Sequence, residues 1–188
     1  MRTGLALAVV AGTLLLAGCS SDDGPAAASA KARDPLDRPL RLPAVPPGGE
    51  CPVSAARFVA KAYGPAVGRG PVFAAALGTN ATLDIAPPER FESREWGGNK
   101  VLWIVARTYQ GPVLIRGRRL DAPGLVRFDE GDVPPASIRI AADPAGLEPT
   151  WRDRPSYTRV QEPGCYAYQV DGRGVSYAIV FRAVAGSL

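Results

Sequence analysis

From Cys51 onward, apolar residues recur in short runs of period two, punctuated by clusters of Gly, Pro and Asp. The C-terminal run is the clearest. Val175, Tyr177, Ile179, Phe181 and Ala183 alternate with Ser176, Ala178, Val180 and Arg182, the pattern of a strand with one face in a core. Tyr166, Tyr168 and Val170 repeat that face in the run before it, and Asp171-Gly172-Arg173-Gly174 between the two has hairpin-turn chemistry. Seven more strand-like runs precede them: Pro71 to Leu77, Ala81 to Ile85, Val101 to Thr108, Pro112 to Leu120, Leu125 to Phe128, Ser137 to Ala141 and Tyr157 to Val160. Val101-Leu102-Trp103-Ile104-Val105 is apolar at every position, which predicts a central strand covered on both faces, with Pro112 to Arg116 as its hairpin neighbour. Ser54 to Tyr63 predicts one short N-terminal helix, with Ser54 as N-cap and Gly64-Pro65 as the stop. The fold class is therefore all-β, a single antiparallel β-sandwich over residues 51–188.

The N-terminus departs from this pattern. Arg2 precedes an apolar run from Leu5 to Leu16, and Leu16-Ala17-Gly18-Cys19 closes it with small residues and a cysteine. So short a run is a secretory leader rather than a membrane span. The closing four residues resemble a bacterial lipobox, which implies a lipoprotein signal peptide over 1–18 and diacylglycerol on Cys19. Two acyl chains hold a protein on a membrane where one does not. The expected location is the extracytoplasmic face of the cell membrane, with the bilayer as partner through that lipid. The competing reading is an ordinary secretory peptide, which predicts a secreted soluble protein. Residues 19–50 then form a tether: Ser-Ser-Asp-Asp, an Ala-rich patch and a Pro-spaced run from Arg38 to Gly49, with no aromatic residue. Such a stretch has coil and polyproline character.

Composition narrows the chemistry. At 188 residues and 46% apolar, the chain fills one core and is not disordered as a whole. It has no His, which excludes Ser-His-Asp and Cys-His catalysis and nearly every ordinary transition-metal site. Beyond the leader, 21 basic and 18 acidic side chains remain, too mild an excess to propose nucleic acid. With Cys19 lipidated, Cys51 and Cys165 are an even pair in an oxidising compartment and predict a disulfide. Alternation places Cys165 opposite Tyr166, Tyr168 and Val170, so the bridge should staple the N-terminal segment to the outside or edge of the penultimate strand. Two thiolates leave a zinc site two ligands short. No metal and no cofactor are expected, and the protein should be a monomer.

Cys51-Pro52-Val53-Ser54, Tyr63-Gly64-Pro65, Trp96-Gly97-Gly98-Asn99-Lys100-Val101-Leu102-Trp103, Gly111 to Arg118, Trp151-Arg152-Asp153 and Pro163-Gly164-Cys165-Tyr166 together resemble a set of uncharacterised secreted and lipid-anchored bacterial proteins, actinobacterial in style, with an immunoglobulin-like sandwich. The resemblance covers about residues 51 to 183. It implies a sandwich, a terminal disulfide and export, and carries over no activity. Immunoglobulin domains proper fit less well, because Cys51 precedes Trp103 by 52 positions where a dozen or so are usual.

The candidate binding surface is aromatic and Arg-rich. Arg94, Trp96, Trp151 and Arg152 sit beside Gly or Pro, and Trp with Arg anchors interfaces and stacks on planar groups. Against it stands packing of each Trp over an end of the sandwich. Arg116 and Arg118 share one strand face and suit an anionic polymer, or form a solvated face. Asp129-Glu130-Gly131-Asp132 offers calcium ligands without the spacing of an EF-hand loop. No Ser is followed by Lys at the third position, which excludes a Ser-x-x-Lys nucleophile. The sequence thus reads as a non-catalytic binding or structural protein of the cell envelope, its partner an envelope protein or polymer. The alternative is a carboxylate-based hydrolase of envelope glycans, with Glu92 and Glu95 as an example of the required pair.

Overall fold

The computed structural model describes residues 34–46, 48–142, 146–147 and 149–186. The predicted signal peptide, Cys19 and the tether up to residue 33 lie outside them. In chain order the strands are β1 (Ala56–Ala60), β2 (Gly64–Val67), β3 (Val72–Ala75), β4 (Thr82–Ile85), β5 (Gly97–Ala106), β6 (Val113–Arg119), β7 (Arg127–Phe128), β8 (Ser137–Ile140), β9 (Trp151–Val160), β10 (Gly164–Gly172) and β11 (Val175–Ala185). Each of the nine runs predicted from periodicity overlaps one of them, although β5 begins four residues before the predicted Val101 and ends at Ala106. They form a six-stranded sheet, β1-β2-β3-β5-β9-β7, and a five-stranded sheet, β4-β11-β10-β6-β8.

One core joins the inner faces. Val101, Trp103 and Val105 of β5 meet Tyr166, Tyr168 and Val170 of β10 and Ile179 and Phe181 of β11. Tyr168 is its centre: the ring lies edge-on to Trp103 with centroids 4.9 Å apart and stacks on Phe181 at 4.4 Å. Its hydroxyl is 2.7 Å from Thr158 Oγ1, so the one polar atom of this ring is satisfied where burial would otherwise penalise it. The turn Arg173-Gly174 joins β10 to β11 in the predicted hairpin, with Gly172 opposite Val175.

Three expectations need correction. The segment read as a helix over Ser54 to Tyr63 holds β1, paired antiparallel to β2. Its Val59, Ala60 and Tyr63 pack with Phe73 and Ile104 on the outer face of the six-stranded sheet. That burial outweighs the helix preference of a few Ala residues, a few tenths of a kcal/mol each. Second, β5 and β6 are not a hairpin. β5 lies between β3 and β9, and β6 between β10 and β8, so residues 107–112 cross from sheet to sheet. A strand apolar on both faces needs neighbours on each side, and β5 also fills the outer cluster through Ile104. Third, the sandwich is not wholly antiparallel, because β4 runs parallel to β11.

The tether predicted over 19–50 is, from Asp34 on, a strap across the outer face of the five-stranded sheet. Val45 packs with Cys51, Cys165, Ala167 and Val180. The Arg41 N–H donates to Gln169 Oε1, Gln169 Nε2 donates to the Pro39 carbonyl at 3.0 Å, and Arg116 donates to the Arg38 carbonyl at 2.6 Å. Proline-rich backbone offers few N–H groups and many free carbonyls, and side-chain donors on β6 and β10 take them. Beneath the strap, Asp171 is fully buried. It accepts from Arg116 at 2.6 Å, Gln169 at 2.8 Å and Ser176 at 2.8 Å. β10 is consequently covered on both faces.

Candidate functional site

Cys51 and Cys165 form the predicted disulfide, with Cα atoms 5.4 Å apart. It closes the far end of the strap onto the outer face of β10. Asp121 braces the same place: it accepts from Arg119 at 2.7 Å and from the Cys165 N–H at 3.0 Å. Burial works against its charge, yet those two bonds hold its carboxyl below the usual Asp range. Cys19 lies outside the described residues.

The structure does not bring Arg94, Trp96, Trp151 and Arg152 together. β5 and β9 pair over their whole length, Gly97 opposite Val160 and Ala106 opposite Trp151. Trp96 therefore precedes one end of this ladder and Trp151 stands at the other, about 30 Å away at the rise of an antiparallel strand. Trp96 is buried, with the Arg127 guanidinium 5.6 Å from its ring centroid. Arg152 is buried on the core side and donates to the carbonyls of Ala141, Tyr109 and Gly111. Trp151 is half-buried, edge-on to Tyr63 and Phe73; only Arg94 is fully exposed. Trp and Arg serve here to close the sandwich ends, where loop carbonyls need donors and the core needs a lid. The predicted common surface is not formed.

Concavity lies elsewhere. Two open clefts, of about 440 and 530 Å³, share Tyr157 and Glu130. The first is lined by Lys100, Asp129, Arg154, Pro155 and Ser156, the second by Arg90, Phe91, Glu92, Gly131 and Asp132. Tyr157 stands opposite Lys100 in the β5–β9 ladder and packs edge-on to Phe91 with centroids 5.2 Å apart. Asp129 is already engaged by Arg154 at 2.8 Å. Glu92 and Asp129 both have left-handed backbone, at φ 53° and 61°, a conformation that costs non-Gly residues about 1 kcal/mol or more. Both line the clefts.

A buried cation supports this region. Arg159 is wholly inaccessible, donates to the Trp96 carbonyl and, at 3.2 Å, to that of Asp129, and lies 4.0 Å from the Phe91 ring centroid. Burial pushes its pKa below the ordinary arginine value, and Glu130 opposes that. Next to it, Gly98 is required by space: a Cβ there would come within 2.0 Å of the Thr158 carbonyl oxygen.

Sequence reasoning missed the clefts. The Asp129 to Asp132 loop was visible as an acidic cluster, but nothing in the local pattern says that β9 carries Arg154 and Tyr157 to it. Among the described residues no group of three or more His, Cys, Asp or Glu could hold a metal ion. Glu92 and Glu95 open into different depressions, Glu95 facing one with Arg119 and Glu162. Neither Trp96 nor Trp151 lines the Tyr157 clefts. Compared with protein-family models, curated proteins and solved structures, the chain matches none.

Proposed function

We propose that this chain is a lipoprotein of the bacterial cell envelope, held at the extracytoplasmic membrane face through Cys19, with an immunoglobulin-like sandwich that binds a partner rather than catalysing a reaction. The observation that carries the binding reading is the pair of clefts around Tyr157. They combine an aromatic floor with alternating cations and carboxylates, and Asp129 is held in an ion pair instead of standing free for proton transfer. Such a surface suits an envelope protein or polymer with charges of both signs. Export is supported by Leu16-Ala17-Gly18-Cys19 and by a disulfide between residues far apart in sequence.

Both halves can be tested in cells. An alkyne fatty acid should label the wild type and not Cys19→Ser; equal labelling would end the lipoprotein reading. A photo-crosslinker at position 130 should trap a discrete envelope component, and Tyr157→Ala should abolish that product while leaving the melting temperature within a few degrees. The same product from a crosslinker at exposed Arg139, or its persistence in Tyr157→Ala, would remove the clefts as the site.

A further inference from the structure

We infer that the two clefts around Tyr157 take a peptide segment that carries a basic and an acidic side chain, the basic one seated among Glu92, Glu130 and Asp132. The inference rests on the binding reading proposed above and names the chemistry of the partner.

The second cleft is an acidic pocket with an aromatic wall. Phe91 and Tyr157 line it together with Glu92, Glu130 and Asp132, against Arg90 as the lining cation. The buried Arg159 next to Phe91 offsets part of that charge but does not line the cleft. Glu92, Glu130 and Asp132 are exposed, and none has an ion-pair partner among the described residues. Carboxylates gathered around one cleft repel one another, so the fold has to hold them there. Two buried side chains do so. Ser93 donates its hydroxyl to the Asp132 carbonyl at 3.3 Å and accepts from the Trp96 N–H at 3.2 Å, which ties the segment after the Pro88–Phe91 turn to the loop that follows β7. Arg159 donates to the Asp129 carbonyl at 3.2 Å, and the Asp129 N–H donates to the Tyr157 carbonyl at 3.0 Å, which fixes that loop to β9.

A positive group is what this pocket lacks. The carboxylates are not set closely enough for a metal ion, since among the described residues no group of three or more His, Cys, Asp or Glu could hold one. An ammonium or guanidinium on a flexible stem reaches them instead, and the half-buried Tyr157 ring attracts it further. The first cleft supplies the complementary cation. There Arg154 is engaged by Asp129 at 2.8 Å, while Lys100, opposite Tyr157 in the β5–β9 ladder, is exposed and without an ion-pair partner among the described residues. Because both clefts share Tyr157 and Glu130, one ligand spans them with its cation in the second and a carboxylate at Lys100. Side chains two residues apart on an extended peptide project from the same face about 7 Å apart, and a lysine and a glutamate so spaced present that pair of charges. A polymer of a single sign satisfies only one cleft.

The test uses the full chain in a non-ionic detergent and the probe peptide acetyl-Gly-Lys-Gly-Glu-Gly-amide, followed by saturation-transfer NMR. Saturable binding is expected, with the strongest transfer to the lysine methylenes. Replacing the probe's lysine with norleucine, which keeps the stem and removes the charge, should weaken binding at least about tenfold. Glu130→Gln with Asp132→Asn should weaken binding of the parent probe roughly tenfold, each exposed pair being worth up to about fivefold. Lys100→Gln should weaken it several-fold while leaving a probe with glutamine in place of glutamate unaffected. Arg118→Gln, on the five-stranded sheet, should bind as wild type, and circular dichroism should show every variant folded. Absence of saturable binding, equal binding of the norleucine probe, or unchanged binding by the double variant or by Lys100→Gln overturns the proposal. So does tighter binding of a glucosamine oligomer, an amine-bearing polymer without carboxylates. A product trapped in cells at position 130 with no peptide binding would refute the peptide class alone. Peptide binding with no trapped product would refute the envelope partner alone.

Discussion

The strap network offers a sharp quantitative test at Asp171. Its carboxylate has no solvent exposure and accepts three side-chain hydrogen bonds, while Arg116 keeps a quarter of its side chain exposed. Asp171→Ala leaves Arg116 half in the protein with only the Arg38 carbonyl for company. Breaking a buried pair by removing one partner costs about 3 to 5 kcal/mol, and the partial exposure of Arg116 places the expected loss near the lower figure. A domain of this size is stable by about 5 to 15 kcal/mol, so the variant should fold and lose a substantial part of that. Removing the cation as well, in Arg116→Met with Asp171→Ala, should recover more than about 1 kcal/mol, because no charge is then left uncompensated. Urea unfolding at matched m-values measures the cycle. Hydrogen exchange at the Arg41 amide, which bonds to Gln169, should quicken in Asp171→Ala more than exchange in β5. A coupling energy below about 0.5 kcal/mol would refute the reasoning and make the network an incidental surface contact.

Two further outcomes follow from the fold. Cys51→Ala with Cys165→Ala opens a loop with a sequence separation of 114, for which chain entropy gives about 4.8 kcal/mol; chemical denaturation should show a loss approaching that, with the core still formed, and a loss under about 1 kcal/mol would refute the bridge as a stabiliser. Burial raises the pKa values of Tyr166, Tyr168 and Tyr177 in the folded protein, so the native state holds these protons where the unfolded chain releases them near pH 10. Their contribution should therefore be constant below about pH 10 and stability should fall as the pH rises beyond it, with these phenolates appearing in one step together with loss of circular dichroism. Complete ionisation of all tyrosines with the fold intact would contradict that burial.

What the amino-acid pattern determined by itself was everything written in local alternation. Tyr166-Tyr168-Val170 and Val175 to Ala183 name their own inner face, because a side-chain period of two leaves one register that buries them all. Cys165 falls on the opposite face by the same rule, which is why the bridge's place outside the inter-sheet core was legible, while the pairing itself followed from Cys51 and Cys165 being the two cysteines of the domain. Trp103 sits in a run apolar on both faces and is wholly buried.

Tertiary structure decided the rest. In β9 the inward positions are Arg152, Arg154, Ser156 and Thr158, so the first half of the strand shows no apolar face. Arg152 reaches loop carbonyls, Arg154 reaches Asp129 past the two residues of β7, and Thr158 meets the Tyr168 hydroxyl. β1 was hidden because its burial depends on Phe73 and Ile104, distant in sequence. The strap was hidden because a Pro-spaced segment has no periodicity, and its order comes from Gln169 and Arg116 more than 70 residues away. Trp96 and Trp151 read alike as loop aromatics, and only the β5–β9 register set them at opposite ends. The Tyr157 clefts are invisible for the same reason. Their walls come from β5, β9, the turn after β7 and the 3-10 turn at Pro88–Phe91, and no local pattern encodes which strands a sheet will place side by side.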